Sequence, residues 1–443
     1  MPEADWSGRR LHFVGIGGAG MSGLALVAKA LGAQVSGSDR AESSYAERLR
    51  EYGIEPAIGH DAGNVPGGAE VVYSTAVPAD NPERRAGAGR ELHRADLLAQ
   101  IAALRRCIAV TGTHGKTTTA AMAVHALSGA GLDPSYVVGG ELRATGANAG
   151  WGTGEWIVVE ADESDRSLLK LSPEIAVLTS AELDHHATYR SLAELEQTLK
   201  EFMGRSGRAI VWDRERLRAL CPPDAVPYDA PDPELTPYGA RFSWHGIEVE
   251  LSVPGAHNAI NAAGALEAAA LAGADPAMAA AALHDFHGAR RRFEPLGIAP
   301  AGATVYDDYA HHPTEVAAAI AAARTLAPKR LIAVFQPHLF SRTAALGPEF
   351  GRALAVADIV VVLGVYPARE RADDFPGVDG RVVAAAAADA ADGRPVAWLP
   401  EFSAARRFLE STLRDGDLCL LMGAGNVDAL GRELVGSGRR ASK

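Results

Sequence analysis

The clearest chemistry in this sequence belongs to a lysine–threonine pair at the start of a predicted helix. Lys116 and Thr117 follow the apolar run Ile108–Val110 and a turn closed by Gly112 and Gly115. A buried strand, a glycine turn and a helix in this order form a cradle for phosphate, because the helix N-terminus presents unpaired N–H groups and a favourable dipole. Lys116 is then placed to reach the β- and γ-phosphates of a nucleoside triphosphate, and the Thr117 hydroxyl to bind Mg²⁺.

This loop differs from the common phosphate-loop pattern at one position. The pattern has a glycine five residues before Gly115, where this chain has Val110. An ordinary glycine turn with Lys116 in solvent is the simpler alternative. The sequence GKTTT after an apolar strand favours the phosphate loop.

Two polar clusters follow apolar runs in the same part of the chain. Glu160–Asp165 follows Trp156–Val159, and a second cluster, Thr179–His186, follows Ile175–Leu178. The carboxyl ends of parallel strands meet at one edge of a sheet, where the phosphate loop also lies. Carboxylates and a histidine beside a triphosphate indicate metal ligation. A solvated loop is the alternative for either cluster alone.

A second glycine-rich turn lies near the N-terminus. Gly15, Gly17 and Gly20 follow the apolar run Leu11–Val14 in the spacing G-x-G-x-x-G, and Asp39 follows about 20 residues later. This βαβ pattern predicts a site for a nucleotide diphosphate, with the aspartate near a ribose hydroxyl. The pattern alone suggests NAD, but any nucleotide diphosphate can use such a loop.

Length and composition limit the class of protein. The chain has 443 residues, enough for about three domains of ~150 residues. Its net charge of −12 argues against a general nucleic-acid or membrane-surface role. The three cysteines lie far apart and have no metal-ligand spacing. A charged-then-apolar leader and a bilayer-length apolar run are both missing from the sequence. We therefore expect a cytoplasmic α/β enzyme.

The order of predicted elements divides the chain into three domains. Residues 84–104 read as one helix leading to the phosphate loop, and strands alternate with helices again in the last third. This rhythm predicts a Rossmann-like N-terminal domain, a central P-loop ATPase domain with a mostly parallel sheet, and a C-terminal Rossmann-like doubly wound domain. The boundaries are placed at 1–106, 107–296 and 297–443.

Two further motifs have both a functional and an ordinary interpretation. The pair His311–His312 before Pro313 is able to bind a metal, but the proline equally suggests helix entry. The arginine run 290–292 is either a solvated cluster or a source of positive charge for a transferred phosphoryl group.

Eight motifs together resemble those of the Mur ligases, in the same order and over nearly the whole chain. They are GIGGAGMSG, TGTHGKTTT, EADESD, LDHH, HNAINA, RRRFE, DDYAHHPTE and FQPHLFSRT. The resemblance implies ATP-dependent ligation in peptidoglycan precursor synthesis, and assigns the N-terminal glycine loop to a UDP-linked substrate instead of NAD. Two of the motifs, GIGGAGMSG and DDYAHHPTE, favour addition of L-alanine to UDP-N-acetylmuramate. Ligation of a preformed murein peptide is the alternative within the family, and a non-catalytic NAD(H)-sensing regulator is the alternative outside it.

The resemblance also implies roles for individual residues. Lys116, His185 and Arg292 are the implied catalytic residues, and the implied Mg²⁺ ligands are Thr117, Glu160 and His185. The implied ATP contacts are Gly112, Thr113, His114, Gly115, Lys116, Thr117, Thr118, Asn258, Arg292 and Asp307. The implied substrate contacts are Gly15, Gly17, Gly18, Gly20, Met21, Ser22, Asp39, Ser74 and Thr75 for the UDP part, and Tyr309, His311 and Arg342 for the amino acid.

The chain also departs from the family pattern. Ser180 stands where relatives often have asparagine, Asn426 replaces an aspartate, and Leu339 and Phe340 stand where some members have arginine and tyrosine. The third-domain changes fall near the expected amino-acid pocket and leave the phosphate chemistry untouched. Either a monomer or a homodimer is compatible with the sequence.

Overall fold

A computed structural model describes residues 5–185 and 188–436. Within these ranges the chain forms two compact units. The first contains residues 5–183, 188–229 and 260–286, and the second contains residues 184–185, 230–259 and 287–436. None of the described helices is long and apolar enough to cross a membrane.

The first unit begins with a five-stranded sheet whose strands are all parallel. Its strand order is β3-β2-β1-β4-β5. The strands are β1 Arg10–Val14, β2 Gln34–Asp39, β3 Ala57–Ile58, β4 Glu70–Tyr73 and β5 Glu91–His93. The helices are α1 Ala19–Ala30, α2 Ser44–Glu51, α3 Pro82–Ala86 and α4 Arg94–Ala102.

The prediction of a single helix over residues 84–104 was wrong. The chain forms α3, then β5, then α4. Gly87 approaches β4 so closely that a Cβ there would lie 2.2 Å from the Val71 side chain. Gly89 has a φ of +82°. Glycine permits both features at little cost, so the two glycines break the helix and allow an edge strand.

A seven-stranded sheet completes the first unit, with strand order β12-β11-β10-β6-β9-β7-β8. All its pairings are parallel except that of β8 with β7. The strands are β6 Arg106–Thr111, β7 Ser135–Leu142, β8 Ala147–Gly150, β9 Trp156–Glu160, β10 Ile175–Leu178, β11 Arg208–Trp212 and β12 Val226–Tyr228. The helices in this stretch are α5 Lys116–Gly129, α6 Leu192–Met203 and α7 Glu215–Arg218, followed later by α8 Ala256–Leu271 and α9 Pro276–Ala282. Residues 256–259 of α8 belong to the second unit and the rest of this helix to the first.

The second unit contains a three-stranded antiparallel sheet and a six-stranded sheet. The six-stranded order is β16-β17-β21-β18-β19-β20, and only β16 pairs antiparallel. The strands are β13 Glu234–Thr236, β14 Gly239–Trp244, β15 Ile247–Leu251, β16 Glu294–Ile298, β17 Thr304–Asp308, β18 Arg330–Phe335, β19 Ile359–Val362, β20 Val396–Trp398 and β21 Asp417–Met422. The helices are α10 Pro313–Thr325, α11 Phe340–Leu354, α12 Gly380–Ala390, α13 Phe402–Thr412 and α14 Val427–Gly436.

The predicted fold class is confirmed: the chain is α/β, and its sheets are mostly parallel. The exact domain boundaries stay predictions. Strand β16 runs across the one drawn at residue 296.

Candidate active site

The phosphate loop is the turn 112–115 between β6 and α5. Gly112 has a φ of +127°, and a Cβ there would lie 2.4 Å from Thr179 Oγ1. Gly115 has a φ of +77°, and its Cβ would lie 2.5 Å from Asn261 Oδ1. Both positions therefore require glycine. Val110 is a fully buried residue inside β6, which explains why this loop has no glycine there.

The segment after β10 holds this loop in shape. The His114 N–H donates to Ser180 Oγ at 2.8 Å, and Thr179 Oγ1 donates to the Thr111 carbonyl at 3.0 Å. The Glu182 N–H donates to Thr113 Oγ1 at 2.9 Å. Ser180, one of the departures from the family pattern, is therefore a support for the loop backbone.

Lys116 lies at the start of α5 beside a buried carboxylate. Its Nζ is 2.9 Å from Oε2 of Glu163, and it donates to the carbonyls of Gly112 at 2.6 Å and Thr113 at 3.2 Å. Burial by itself would lower the pKa of Lys116, but Glu163 and then Glu160 outweigh it and raise that pKa above its ordinary value. Lys116 is therefore a cation, as phosphate binding requires.

Thr117 and Glu160 come together as predicted for two metal ligands. Thr117 Oγ1 donates to Glu160 Oε2 at 2.8 Å, and the Gly139 N–H donates to the same oxygen at 2.8 Å. Hydroxyl and carboxylate oxygens are the ligands that Mg²⁺ prefers, so these two side chains fit that ion. His185 belongs to the second unit, and its role as a third ligand stays a prediction.

The HNAINA motif contributes a residue that sequence reasoning missed. Asn261 accepts a hydrogen bond from Thr119 Oγ1 at 3.2 Å and lies against Gly115. Asn258, the residue singled out from this motif, belongs to the second unit and donates from Nδ2 to the Pro254 carbonyl at 2.7 Å. Asn258 and Asn261 are three residues apart on α8, and residues at this spacing lie on the same face of a helix. This spacing was the sequence signal that could have identified Asn261.

The N-terminal glycine loop is tied to Asp39. The Gly17 N–H donates to Asp39 Oδ2 at 2.9 Å, and Ser43 Oγ donates to the Gly17 carbonyl at 3.1 Å. Gly15 has a φ of +78°. In this structure Asp39 therefore supports the loop, and its contact with a ribose stays a prediction.

The rest of the predicted UDP site lies around α1 and the end of β4. Gly18 is the N-cap of α1, which includes Gly20, and Met21 and Ser22 are buried in the helix. The site also includes Arg94, which the sequence reasoning did not single out, 3.7 Å from where a Cβ on Gly20 would be.

Arg94 joins the substrate side of the first unit to the acidic loop after β9. Its Nη2 donates to Asp162 Oδ2 and Asp165 Oδ2, both at 3.1 Å. Thr75 Oγ1 donates to Asp165 Oδ2 at 2.7 Å, and Ser74 lies beside it after β4. Burial tends to raise the pKa of Asp165, but Ser167, Arg94 and Thr75 bring it down to about 2. Thr75 therefore contacts the acidic loop that directly follows Glu160.

In the second unit, the arginine run and the paired aspartates pack together. Arg291 Nε donates to Asp307 Oδ2 at 3.1 Å, and its other nitrogens donate to the carbonyls of Gly425 and Gly423. Asp307 is fully buried, and burial raises its pKa to about 6. Asp308 is half-buried and faces the charge of Arg292, while burial raises its pKa also to about 6.

The predicted amino-acid contacts form a second cluster in this unit. The buried guanidinium of Arg342 makes a bidentate pair with Asp184 at 2.8 and 3.0 Å, and Nη1 is 3.0 Å from His338 Nδ1. His311 Nδ1 is 2.8 Å from the Tyr309 carbonyl. Burial, above all, lowers the pKa of His311 to about 4 and that of His338 to about 3, so both imidazoles are neutral at pH 7.

The neighbouring His312 begins a helix. It is the N-cap of α10, Pro313 is the first residue of that helix, and the His312 side chain accepts from the Thr314 N–H at 3.4 Å. For His312, the structure therefore supports the prediction that this residue marks the start of a helix.

A lysine-bearing phosphate loop on a mostly parallel sheet, together with a glycine loop on a second sheet that is parallel, defines a nucleotide-binding α/β enzyme. Comparison with known proteins makes the class specific. Residues 10–106 match the model "Mur ligase family, catalytic domain", residues 110–269 match "Mur ligase middle domain" and residues 291–425 match "Mur ligase, glutamate ligase domain". The chain belongs to the Mur ligase family.

Individual relatives cover nearly the whole chain. The UDP-N-acetylmuramate–L-alanine ligase of Streptomyces griseus is 43% identical over 96% of this chain and 96% of its own. The crystal structure of the Thermotoga maritima UDP-N-acetylmuramate-alanine ligase superimposes with a TM-score of 0.84 at 28% identity, over 98% of this chain and 100% of the other. A murein peptide ligase from Psychrobacter arcticus gives 0.73 at 24% identity, over 97% and 99% of the two chains, which indicates a shared fold alone.

Proposed function

We propose that this protein is an ATP-dependent ligase that joins L-alanine to the lactyl carboxylate of UDP-N-acetylmuramate, in the cytoplasm, during peptidoglycan precursor synthesis. The observation that carries the proposal is the 43% identity over 96% of the chain to a ligase of that name. The cluster of Lys116, Thr117 and Glu160 supports it, because the same residues suit a nucleoside triphosphate and its metal ion.

The chemistry explains why ATP is needed. A carboxylate is a poor acyl donor to an amine, so its oxygen first attacks the γ-phosphorus of ATP, and the P–O bond to ADP breaks. The resulting acyl phosphate is attacked by the amine of L-alanine, which gives a tetrahedral intermediate that expels phosphate. The ammonium of Lys116 neutralises charge on the transferred phosphoryl group, and the loop N–H groups position it. Mg²⁺ bound at Thr117 and Glu160 would supply further positive charge.

Each predicted domain receives one reactant in this proposal. Residues 1–106 bind the UDP part through the backbone of the glycine loop 15–20, residues 107–296 bind ATP, and residues 297–443 bind L-alanine. Exclusion of water around the reactants protects the acyl phosphate from hydrolysis. A monomer is sufficient for this arrangement, and a homodimer is compatible with it.

Of the paired aspartates, Asp307 remains the ATP contact of this proposal. Its Oδ2 pairs with Arg291, and its buried Oδ1 has no hydrogen-bond partner among the residues that the structure describes. Both carboxylate oxygens of Asp308 already accept backbone hydrogen bonds, from the Phe293 and Ala310 N–H groups at 2.7 Å. Asp307 is therefore the carboxylate with an oxygen still open to a hydroxyl group of the nucleotide.

The amino-acid site is assigned to Tyr309 and His311, with Arg342 as a positioning residue. The nitrogens of Arg342 face Asp184 and His338, so a carboxylate of L-alanine would have to exchange with one of these partners. The apolar Leu339 lies at the start of α11 with a φ of +69°. These positions form the specificity region of the proposal.

Phosphate release from ATP tests the proposal, measured with UDP-N-acetylmuramate present and L-alanine added or withheld. Release that requires both supports the L-alanine ligase. Release that ignores L-alanine but responds to a murein tripeptide would replace it by the peptide ligase. A folded, magnesium-supplied sample that binds NAD(H) and releases no phosphate would favour the nucleotide-sensing regulator instead.

A further inference from the structure

Glu163 has no role in the reaction described above, yet it is the closest anionic partner of the phosphate-loop lysine. Its side chain is fully buried, and its carboxylate lies 2.9 Å from Lys116 Nζ through Oε2 and 3.2 Å through Oε1. Tyr189 Oη and the Arg166 N–H both donate to the Glu163 carbonyl, which fixes the backbone that carries this side chain. The contact is therefore a feature of the fold and not of a mobile surface chain.

The contact with Glu163 occupies one of the few hydrogen-bond donors of Lys116. An ammonium group has three N–H donors. In Lys116 they face the carbonyls of Gly112 and Thr113 and the carboxylate of Glu163. A phosphate that is to be contacted by Lys116 must replace at least one of these partners or share its donor.

Charge decides which partner competes with phosphate. The two carbonyls are neutral, whereas Glu163 is an anion close to where a phosphate would bind. Glu160 at the end of β9 and Asp162 in the loop after it add further negative charge. A polyphosphate without a metal ion therefore meets a lysine whose charge is already neutralised. Removal of the lysine from Glu163 would also break an ion pair of a buried carboxylate, which is costly.

We propose that Glu163 competes with the nucleotide phosphates for Lys116, and so makes binding by the phosphate loop depend on a metal-bound nucleotide. This inference rests on the proposed function only in taking an adenine nucleotide as the ligand. A divalent cation at Thr117 and Glu160 relieves the repulsion from the acidic loop, so metal-bound nucleotide is accepted and metal-free nucleotide is disfavoured. Glu163 acts through Lys116 and is a positioning residue.

The test is calorimetric titration of the full-length protein with ADP, once in EDTA and once in excess MgCl₂. Glu163→Gln keeps the size of the side chain and removes its charge. We expect the variant to bind metal-free ADP about tenfold more tightly than wild type, and Mg-ADP within about threefold of wild type. A purely structural role would instead weaken both affinities together.

Asp162→Asn is the matched control, since it removes one negative charge from the same loop. Asp162 pairs with Arg94 and is partly exposed. We expect this control to tighten metal-free ADP by about twofold or less, because exposed charges are screened. Equal tightening in the two variants, or no tightening in Glu163→Gln, would overturn the proposed competition.

A second variant covers the case in which Glu163→Gln does not fold. Glu163→Asp keeps the charge but withdraws the carboxylate by one methylene, so we expect a smaller tightening of metal-free ADP. Unchanged or weaker binding in Glu163→Asp would then overturn the inference. Absence of ADP and ATP binding to folded wild type would overturn the proposed function as well, whereas binding that is insensitive to Glu163 overturns the competition alone.

Discussion

Two largely buried cations in this molecule have different partners. Lys116 in the first unit faces one carboxylate and two backbone carbonyls. Arg342 in the second unit makes two parallel hydrogen bonds to Asp184 and a third contact to His338. An ammonium is a point charge that exchanges partners easily, whereas a guanidinium in a bidentate pair is fixed in one plane. Lys116 is therefore suited to receive a ligand, and Arg342 to hold other side chains in position.

Removal of the Lys116 ammonium gives the largest expected effect. Lys116→Ala should lower the rate of ligation by about a thousandfold or more, because loss of charge stabilisation at a transferred phosphoryl group has effects of that size. Binding of UDP-N-acetylmuramate should be retained, since the N-terminal glycine loop lies on another sheet. Phosphate release measures the first quantity and calorimetry the second.

The control for this variant is another lysine of the same unit. Lys170 is partly exposed and pairs with Asp96 at 2.6 Å, so Lys170→Ala should change turnover by less than about twofold. Near-normal turnover in Lys116→Ala would show that Lys116 takes no part in the reaction. It would also contradict the contrast between Lys116 as a ligand-binding cation and Arg342 as a positioning one.

Loss of the Arg342 guanidinium should appear first as lost stability. Arg342→Ala removes the guanidinium that pairs with the buried Asp184 carboxylate, so we expect the free energy of unfolding to fall by about 3–5 kcal/mol. Urea denaturation measures this change. The half-exposed pair of Arg324 and Asp358 at 2.8 Å supplies the control, for which Arg324→Ala should cost about 1 kcal/mol or less. Similar losses in the two variants would contradict the positioning role of Arg342.

Glu83 is a buried carboxylate that can be compared with Glu163 and Asp184, the partners of the two cations. The contacts described for Glu83 are hydrogen-bond donors and histidines instead of a lysine or an arginine. Glu83 accepts hydrogen bonds from Ser38 Oγ, Asn64 Nδ2 at 2.7 Å and the Asp61 N–H at 3.1 Å, and its Oε2 is 3.3 Å from His12 Nε2. Burial tends to raise the pKa of Glu83, but these hydrogen bonds bring it from its ordinary 4.5 down to about 2.

The pH dependence of stability follows from this shift. A carboxyl group with a lowered pKa in the folded state contributes stability above pH 4.5, which is lost as the pH falls from about 4.5 to 2. Glu83→Gln should cost about 2 kcal/mol at pH 7 and remove that part of the acid dependence. Thermal melts of both proteins between pH 6 and about pH 3 test this, and parallel pH profiles would contradict it.

The sequence predicted those parts of the molecule that depend on short-range patterns. The phosphate loop lies within one contiguous motif, and the regular alternation of strands and helices was enough for the fold class. The error over residues 84–104 arose because Gly87 and Gly89 are required by contacts with β4 and by backbone conformation. The polar residues between 84 and 104 are compatible with a helix or with an edge strand, so their pattern did not distinguish the two.

The contacts that give the sites their specific character could not be predicted. Glu163 approaches Lys116 from 47 positions away, and Asp184 approaches Arg342 from 158 positions away. Nothing in the local pattern distinguishes Glu163 from Asp162 or Asp165, which face Arg94 instead. Sheet order decides which carboxylate of an acidic loop meets which cation.

The smallest expected effect concerns His185, the predicted third metal ligand. Its φ of +54° is in the left-handed region, and its Nε2 lies 3.7 Å from Asp184 Oδ2. An unusual backbone conformation beside a predicted site suggests a functional reason for it. His185→Ala should raise the Mg²⁺ concentration for half-maximal phosphate release by about tenfold, as expected for loss of one of several ligands.

The matched control for His185 is His245, which has a φ of +48° in the β14–β15 turn and no predicted role. His245→Ala alters backbone preference in the same way and should leave the magnesium titration unchanged. Equal shifts in the two variants would attribute the effect to backbone strain, and an unshifted His185→Ala would remove His185 from the metal site. A shift in the magnesium titration that is confined to His185→Ala would give two successive residues different roles. Asp184 would position Arg342, and His185 would bind the metal ion.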